Sequence, residues 1–253
     1  MSKLFFLLAL LLSPLALAQP KALCVKDLRL PSDYKPIMRL RASLSEDEHL
    51  CSGFMIGKAC ALTAGHCQKS LNFAEFRVPD GDDFVIKASD EEDIYQIDTD
   101  FIVKKTGRAG GDFTVFKLEK NKLTGLYPGE VYGYLELFYH TPKTSEEIMI
   151  AGYGSQYTNA KRYHSQKFSE GEVLKTYYRR GLPFIPTLHS VTYNAGSTGG
   201  DSGAPIFLKA TGQVIGIHNA GSCSYGNHLQ NFGTLLDKQK DLELAIKKCL
   251  NSE

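Results

Sequence analysis

From Pro36 onward the chain is written in short apolar stretches rich in β-branched and aromatic residues, separated by Gly, Asn, Asp and Pro. Cys51 to Ile56, Phe84 to Lys87, Phe113 to Leu118, Val131 to Phe138, Ile148 to Tyr153, Pro205 to Leu208 and Val214 to His218 are examples. Many short strands between turn signals predict an all-β barrel or sandwich. Only the end differs. Between Leu235 and Leu250 the residues Leu236, Leu242, Leu244, Ala245, Ile246 and Cys249 recur near helical spacing, and Lys247 and Lys248 suit a last turn. The turn-rich stretch Leu123 to Gly129 is the best place for a boundary between two halves, and no internal repeat or low-complexity segment is present.

Residues 1–18 read as an export signal. Lys3 gives the positive start, Leu4 to Leu17 is an apolar run too short to span a bilayer, and Ala16-Leu17-Ala18 offers small residues for signal peptidase. The mature chain is then expected from about Gln19, secreted or periplasmic; a retained anchor or a lipid-modified Cys24 fits less well. Of the 29 basic residues only Lys3 lies in the leader, and the rest balance the 28 acidic ones. That balance gives no reason to expect nucleic acid or an anionic membrane as partner, and a monomer without cofactor is expected. All six cysteines, Cys24, Cys51, Cys60, Cys67, Cys223 and Cys249, follow the leader. An even number in an exported chain implies disulfides, whereas zinc would want CxxC or HExxH spacing, which is missing.

Three segments carry chemistry: Thr63-Ala64-Gly65-His66-Cys67, Gly111-Asp112-Phe113-Thr114-Val115 and Gly199-Gly200-Asp201-Ser202-Gly203-Ala204-Pro205. Alone, the last is an ordinary glycine turn and a single histidine is ordinary too. Together they supply a nucleophile (Ser202), a general base (His66) and an orienting acid (Asp112). Gly200 and Gly203 let the backbone turn sharply, so the amides of Gly200 and Ser202 can face a developing oxyanion; one such donor is worth about 3 kcal/mol of barrier. Asp98 and Asp100 are rivals for the acid, but only Asp112 opens an alternating strand.

With Ala151-Gly152-Tyr153-Gly154 and Val214-Ile215-Gly216-Ile217-His218 added, the chain resembles the chymotrypsin-like serine peptidases over roughly Lys35 to Leu250, and among them the bacterial glutamyl-endopeptidase branch. The resemblance implies two six-stranded antiparallel Greek-key barrels with the site between them and a terminal helix behind. The divisions become 1–18 leader, 19–36 an N-terminal segment and candidate propeptide, 37–128 first barrel, 129–253 second barrel and helix. It implies protein or peptide substrates and a Cys51–Cys67 bridge. Of the three pairings left to the other cysteines, it favours Cys60 with Cys249 and Cys24 with Cys223.

Gly196 stands where trypsin-like relatives carry the aspartate that binds a basic side chain. His218 and Ser197 stand where the glutamate-selective branch carries its recognition residues. Cleavage after glutamate, with aspartate weaker, is the resulting expectation; the competing one is that His218 merely satisfies backbone groups in a buried strand. Asp201 departs from that branch, which more often has Asn. In trypsin-like relatives this aspartate pairs with an amino terminus freed by cleavage; no Ile-Val-Gly-Gly follows an early basic residue here, and the two alternatives are Gln19 as the working amino terminus or trimming near Lys26 or Arg29. The acidic stretch Asp80 to Asp100 and the basic, tyrosine-rich Lys161 to Arg180 read as solvated loops, the former as the one place for a structural calcium. His140, His164, His189 and His228 sit in loop-like contexts without a role. A catalytically silent binding protein, a single-target toxin and a protease of apolar specificity are the competing classes on the same fold.

Overall fold

A computed structural model describes residues 27–45, 50–182, 187–224 and 228–253, the side chains of residues 222–229 excepted. Residues 1–18, expected to be the leader, and Cys24 lie outside the described residues, as does the side chain of Cys223.

Six strands, β2 (Ile37–Arg41), β3 (Cys51–Met55), β4 (Cys60–Thr63), β5 (Phe73–Glu75), β6 (Ile94–Lys105) and β7 (Phe113–Leu118), close an antiparallel barrel in the order β2-β3-β4-β7-β6-β5. A second set, β8 (Glu147–Gly152), β9 (Lys167–Arg179), β10 (Leu188–Tyr193), β11 (Pro205–Leu208), β12 (Gln213–Ser224) and β13 (His228–Leu235), runs β9-β10-β13-β12-β11-β8 and closes through β8 against β9. Closure removes the exposed edges that such short strands would otherwise leave. The two-residue β1 (Leu30–Pro31) lies antiparallel on β9, Leu30 opposite Phe168.

Each barrel has its own packed interior. Phe54, Leu62, Phe113, Val115 and Phe116 fill the first, and Ile150, Val191, Tyr193, Ile206 and Ile215 fill the second. Ala151, Tyr153, Phe207 and Ile217 belong to the second set of strands yet pack with the first cluster, so the seam between the barrels is itself apolar. The C-terminal helix α2 (Lys240–Leu250) buries Leu242, Ala245, Ile246 and Cys249, one face at helical spacing. Burying each larger side chain is worth about 2 kcal/mol. Cys249 is bridged to Cys60, and the Glu253 carboxylate accepts the amides of Lys58, Ala59 and Cys60 at 3.0, 2.6 and 2.7 Å.

Several local expectations give way. Val131 to Phe138 is not a strand: the helix α1 (Pro128–Tyr132) starts with Pro128 in its first turn, and only Leu137 makes a bridge, to Val214. Phe84 to Lys87 contributes one isolated bridge, Asp82 with Val85. The helix begins at Lys240 rather than Leu235, which ends β13; Lys238 has a φ of +56° and interrupts the chain between them. Most of Lys161 to Arg180 is β9, Asp98 and Asp100 lie on β6, and His189 and His228 stand in strands rather than loops. Alternation alone misses long two-barrel strands, because their polar faces also carry Lys, Glu and Tyr.

Candidate active site

His66 sits in a 3-10 turn, Gly65–Ser70, directly after β4. Its neighbour Cys67 is bridged to Cys51 on β3, which fixes the loop to the barrel wall. Asp112 precedes β7. It is buried, and its Oδ2 lies 2.6 Å from Nδ1 of the half-exposed His66. Gly65 is required there: a Cβ would strike the Lys105 carbonyl and Asp112 Oδ1. Asp98 and Asp100 lie on the surface of β6, so the rivals for the acid are elsewhere.

Ser202 arrives from the second barrel. Its carbonyl accepts the Ser52 amide at 2.8 Å, and Cys67 Sγ is 3.6 Å from the same oxygen, so the serine loop rests on the wall that carries His66. Ser202 Oγ donates to the Asn219 carbonyl at 3.4 Å rather than to His66. Asn219 also donates from Nδ2 to Asp112, at 2.8 Å to the carbonyl and 3.0 Å to Oδ2. One asparagine therefore touches both the acid and the serine.

Asn219 escaped the sequence reading for a definable reason. The β12–β13 register shifts between His218 and Ala220, which makes Asn219 the extra residue of a bulge and turns its side chain toward the first barrel. Thr234 on β13 completes the set: its Oγ1 donates to Asn219 Oδ1 at 2.7 Å and accepts the Gly110 amide at 2.9 Å. Two polar residues at adjacent buried strand positions were the only trace in the sequence. Ser52 was likewise missed; its Oγ donates to the Gly200 carbonyl at 2.8 Å and accepts the Tyr153 amide at 2.9 Å.

The Gly200–Gly203 turn takes positive φ at both glycines, +103° and +89°. Those angles cost an L side chain dearly, and at Gly203 a Cβ would also strike the Ser52 carbonyl and Thr63 Oγ1. Among the described residues neither the Gly200 nor the Ser202 amide has an acceptor. Beside His66 a cleft of about 710 Å³ is lined by Arg108, Asp112, Tyr177, Ser190, Asn219 and Phe232 among others.

His218 and Ser197 are both buried in the second barrel. His218 Nδ1 lies 2.5 Å from the Tyr193 hydroxyl. Burial pushes the imidazole down to about 4 and the Tyr193 hydroxyl well above its ordinary 10, so both are neutral near pH 7. The phenol has no other acceptor among the described residues, so it donates to Nδ1 and the ring proton sits on Nε2. Ser197 Oγ donates to Asn231 Oδ1 at 2.8 Å, which uses the hydroxyl proton expected for a ligand. Tyr193 and Asn231 were not foreseen. Among the described residues no group of three or more His, Cys, Asp or Glu is placed to hold a metal ion.

His164 behaves like His218: burial lowers it to about 4, and its Nδ1 lies 2.8 Å from the Tyr153 carbonyl. Two histidines that stay neutral when folded but titrate at an ordinary 6.5 when unfolded set an acid limit. Below 6.5 the unfolded chain binds protons that the folded chain refuses, so stability falls as pH drops from 6.5 toward 4. The urea midpoint is expected to decline over that window, and His164→Gln to flatten the decline; an equally steep profile in the variant would contradict it.

Residues 33–240 match the family model described as Trypsin. Among solved structures, the chain is similar to a Glu endopeptidase (TM-score 0.61, 20% identity, 87% of this chain and 93% of that one). It is also similar to the protease Anisep from Arthrobacter nicotinovorans (0.60, 18%, 88% and 97%) and to a thermostable serine protease from an extremophilic microorganism (0.60, 15%, 88% and 100%). No curated protein sequence matches it. Identities this low speak for the fold alone, but the family match spans nearly all of both barrels, and with the closed six-stranded pair it shows that the chain belongs to the trypsin-like serine protease family.

Proposed function

We propose that this chain is a secreted or periplasmic serine endopeptidase that acts through Ser202, His66 and Asp112 and prefers glutamate before the scissile bond. The contact that carries the reading is His66 Nδ1 on Asp112 Oδ2 at 2.6 Å, tied to Ser202 by Asn219. Asp112 holds the imidazole with its proton on Nδ1, leaving Nε2 as the base. A staggered rotation frees Ser202 Oγ from its long bond to Asn219, and its proton passes to Nε2 as Oγ attacks the carbonyl carbon. The amides of Gly200 and Ser202, without an acceptor among the described residues, receive the oxyanion. His66 then gives the proton to the leaving amine, and water repeats the sequence on the acyl-enzyme. Export is supported by the Cys51–Cys67 and Cys60–Cys249 bridges.

Glutamate preference rests on His218. With Nδ1 taken by Tyr193, Nε2–H is the one donor the neutral ring has left, and an incoming carboxylate leaving water needs one. Ser197 joins only by releasing Asn231. His218→Ala is expected to lower kcat/KM for glutamate peptides by about 10²-fold, the scale of a hydrogen bond to a charged group, and to change glutamine peptides less. Because the free imidazole titrates near 4, the Glu/Gln ratio of kcat/KM should stay flat between pH 5.5 and 8. The test is a peptide set varied at the residue before the cut. A preference for Lys, Phe or Leu, or equal loss on every substrate in the variant, would refute the pocket.

A further inference from the structure

The carboxylate next to the nucleophile is held by a cation from the chain's own N-terminal segment. Arg29 Nη1 meets Asp201 Oδ2 at 2.9 Å, with both side chains almost wholly buried. The same Nη1 donates to Thr198 Oγ1 at 2.7 Å, Nη2 donates to the Ser155 carbonyl at 2.5 Å, and Asp27 receives Nε and Nη2 at 3.0 and 2.8 Å. Asp201 is filled from the loop side as well: Oδ1 accepts the Gly154 amide at 2.7 Å and Oδ2 the Thr198 amide at 2.9 Å. Gly154 must lack a side chain, since a Cβ there would strike Asp201, Thr198 and Arg29 together. Burial alone would weaken the guanidinium's charge, but Asp201 and Asp27 outweigh it and raise its affinity for the proton.

The consequence lies one residue away on either side. Asp201 stands between Gly200 and Ser202, whose amides have no acceptor among the described residues, and Gly200 is held at a φ of +103°. A buried carboxylate stripped of its cation must either take a proton or move toward water. Either path weakens the hold on the Thr198 and Gly154 amides and lets the loop relax. Resting on the reading of Ser202 as nucleophile, we propose that Arg29 is a positioning residue that locks the oxyanion loop in its working form. The chain therefore needs no freed amino terminus, and a cut after Arg29 switches the enzyme off rather than on. Trimming that leaves Asp27 to Pro31 in place keeps the lock.

The test uses the exported full chain with three measurements: kcat and KM on a peptide substrate, circular dichroism for folding, and addition of ethylguanidinium. Arg29→Ala is expected to lower kcat by about 10²-fold, as loss of an oxyanion donor does, with KM within a few-fold, and ethylguanidinium is expected to restore part of it. A folded Arg29→Ala with wild-type kcat overturns the proposal, as does a loss confined to KM. Should Arg29→Ala fail to fold, the neutral pair Arg29→Met with Asp201→Asn decides, made on an Asp27→Asn background so that neither carboxylate that Arg29 pairs is left buried without its cation. A folded pair with kcat lowered at least tenfold supports the lock, and one with wild-type kcat overturns it. If the wild-type chain itself hydrolyses nothing and Ser202 resists acylation, the failure belongs to the proposed function instead.

Discussion

Ser202→Ala is expected to lower kcat on unfolded casein or peptides by about 10⁶-fold while substrate binding survives, because the nucleophile is lost and the cleft is not. His66→Ala should cost nearly as much, and the double variant no more than either alone. That non-additivity follows from the shared step: an alcohol without a base, or a base without an alcohol, is equally idle. The residue left over is what two oriented amides and the cleft can do for water. Initial-rate kinetics at protein concentrations fixed by absorbance reads all three, and a double variant markedly slower than the worse single one would contradict a common step.

Asp112→Asn should follow at about 10⁴-fold in kcat, the scale known for turning an orienting acid into an amide. Asp112 Oδ2 receives both His66 Nδ1 and Asn219 Nδ2, while Oδ1 is buried with no partner among the described residues. An amide oxygen at the Oδ2 position keeps both donors but buries an unpartnered NH2 at the Oδ1 position. Turned the other way, it sets NH2 against two donors. In neither pose does a negative charge face the imidazolium that forms during attack. KM within a few-fold of wild type is expected; a kcat within tenfold would mean that Asp112 is not the orienting acid.

How much of this was legible beforehand depends on range along the chain. His66, Asp112 and Ser202 each sit in a short segment with its own character, and the structure brings the first two into contact and the third onto the same wall. Strand runs such as Cys51–Met55 and Pro205–Leu208 were readable because they are short and mostly apolar, and both are buried throughout. β9 was not, since its outer face carries Glu, Lys and Tyr and only the barrel's closure explains it. Asn219 needed a bulge to be aimed, and Arg29 acts on Asp201 across 172 positions of sequence. Neither has a local signature. The direction of Ser202 Oγ, toward Asn219 rather than His66, is a rotamer that no sequence pattern encodes.

The most direct measurement is reaction of the purified protein with a serine-directed phosphonate, followed by intact mass and peptide mapping. One adduct on Ser202, absent from His66→Ala under the same conditions, is the expected result. No adduct together with no hydrolysis of casein, or an adduct on a different residue, would contradict the assignment of Ser202 as the activated nucleophile.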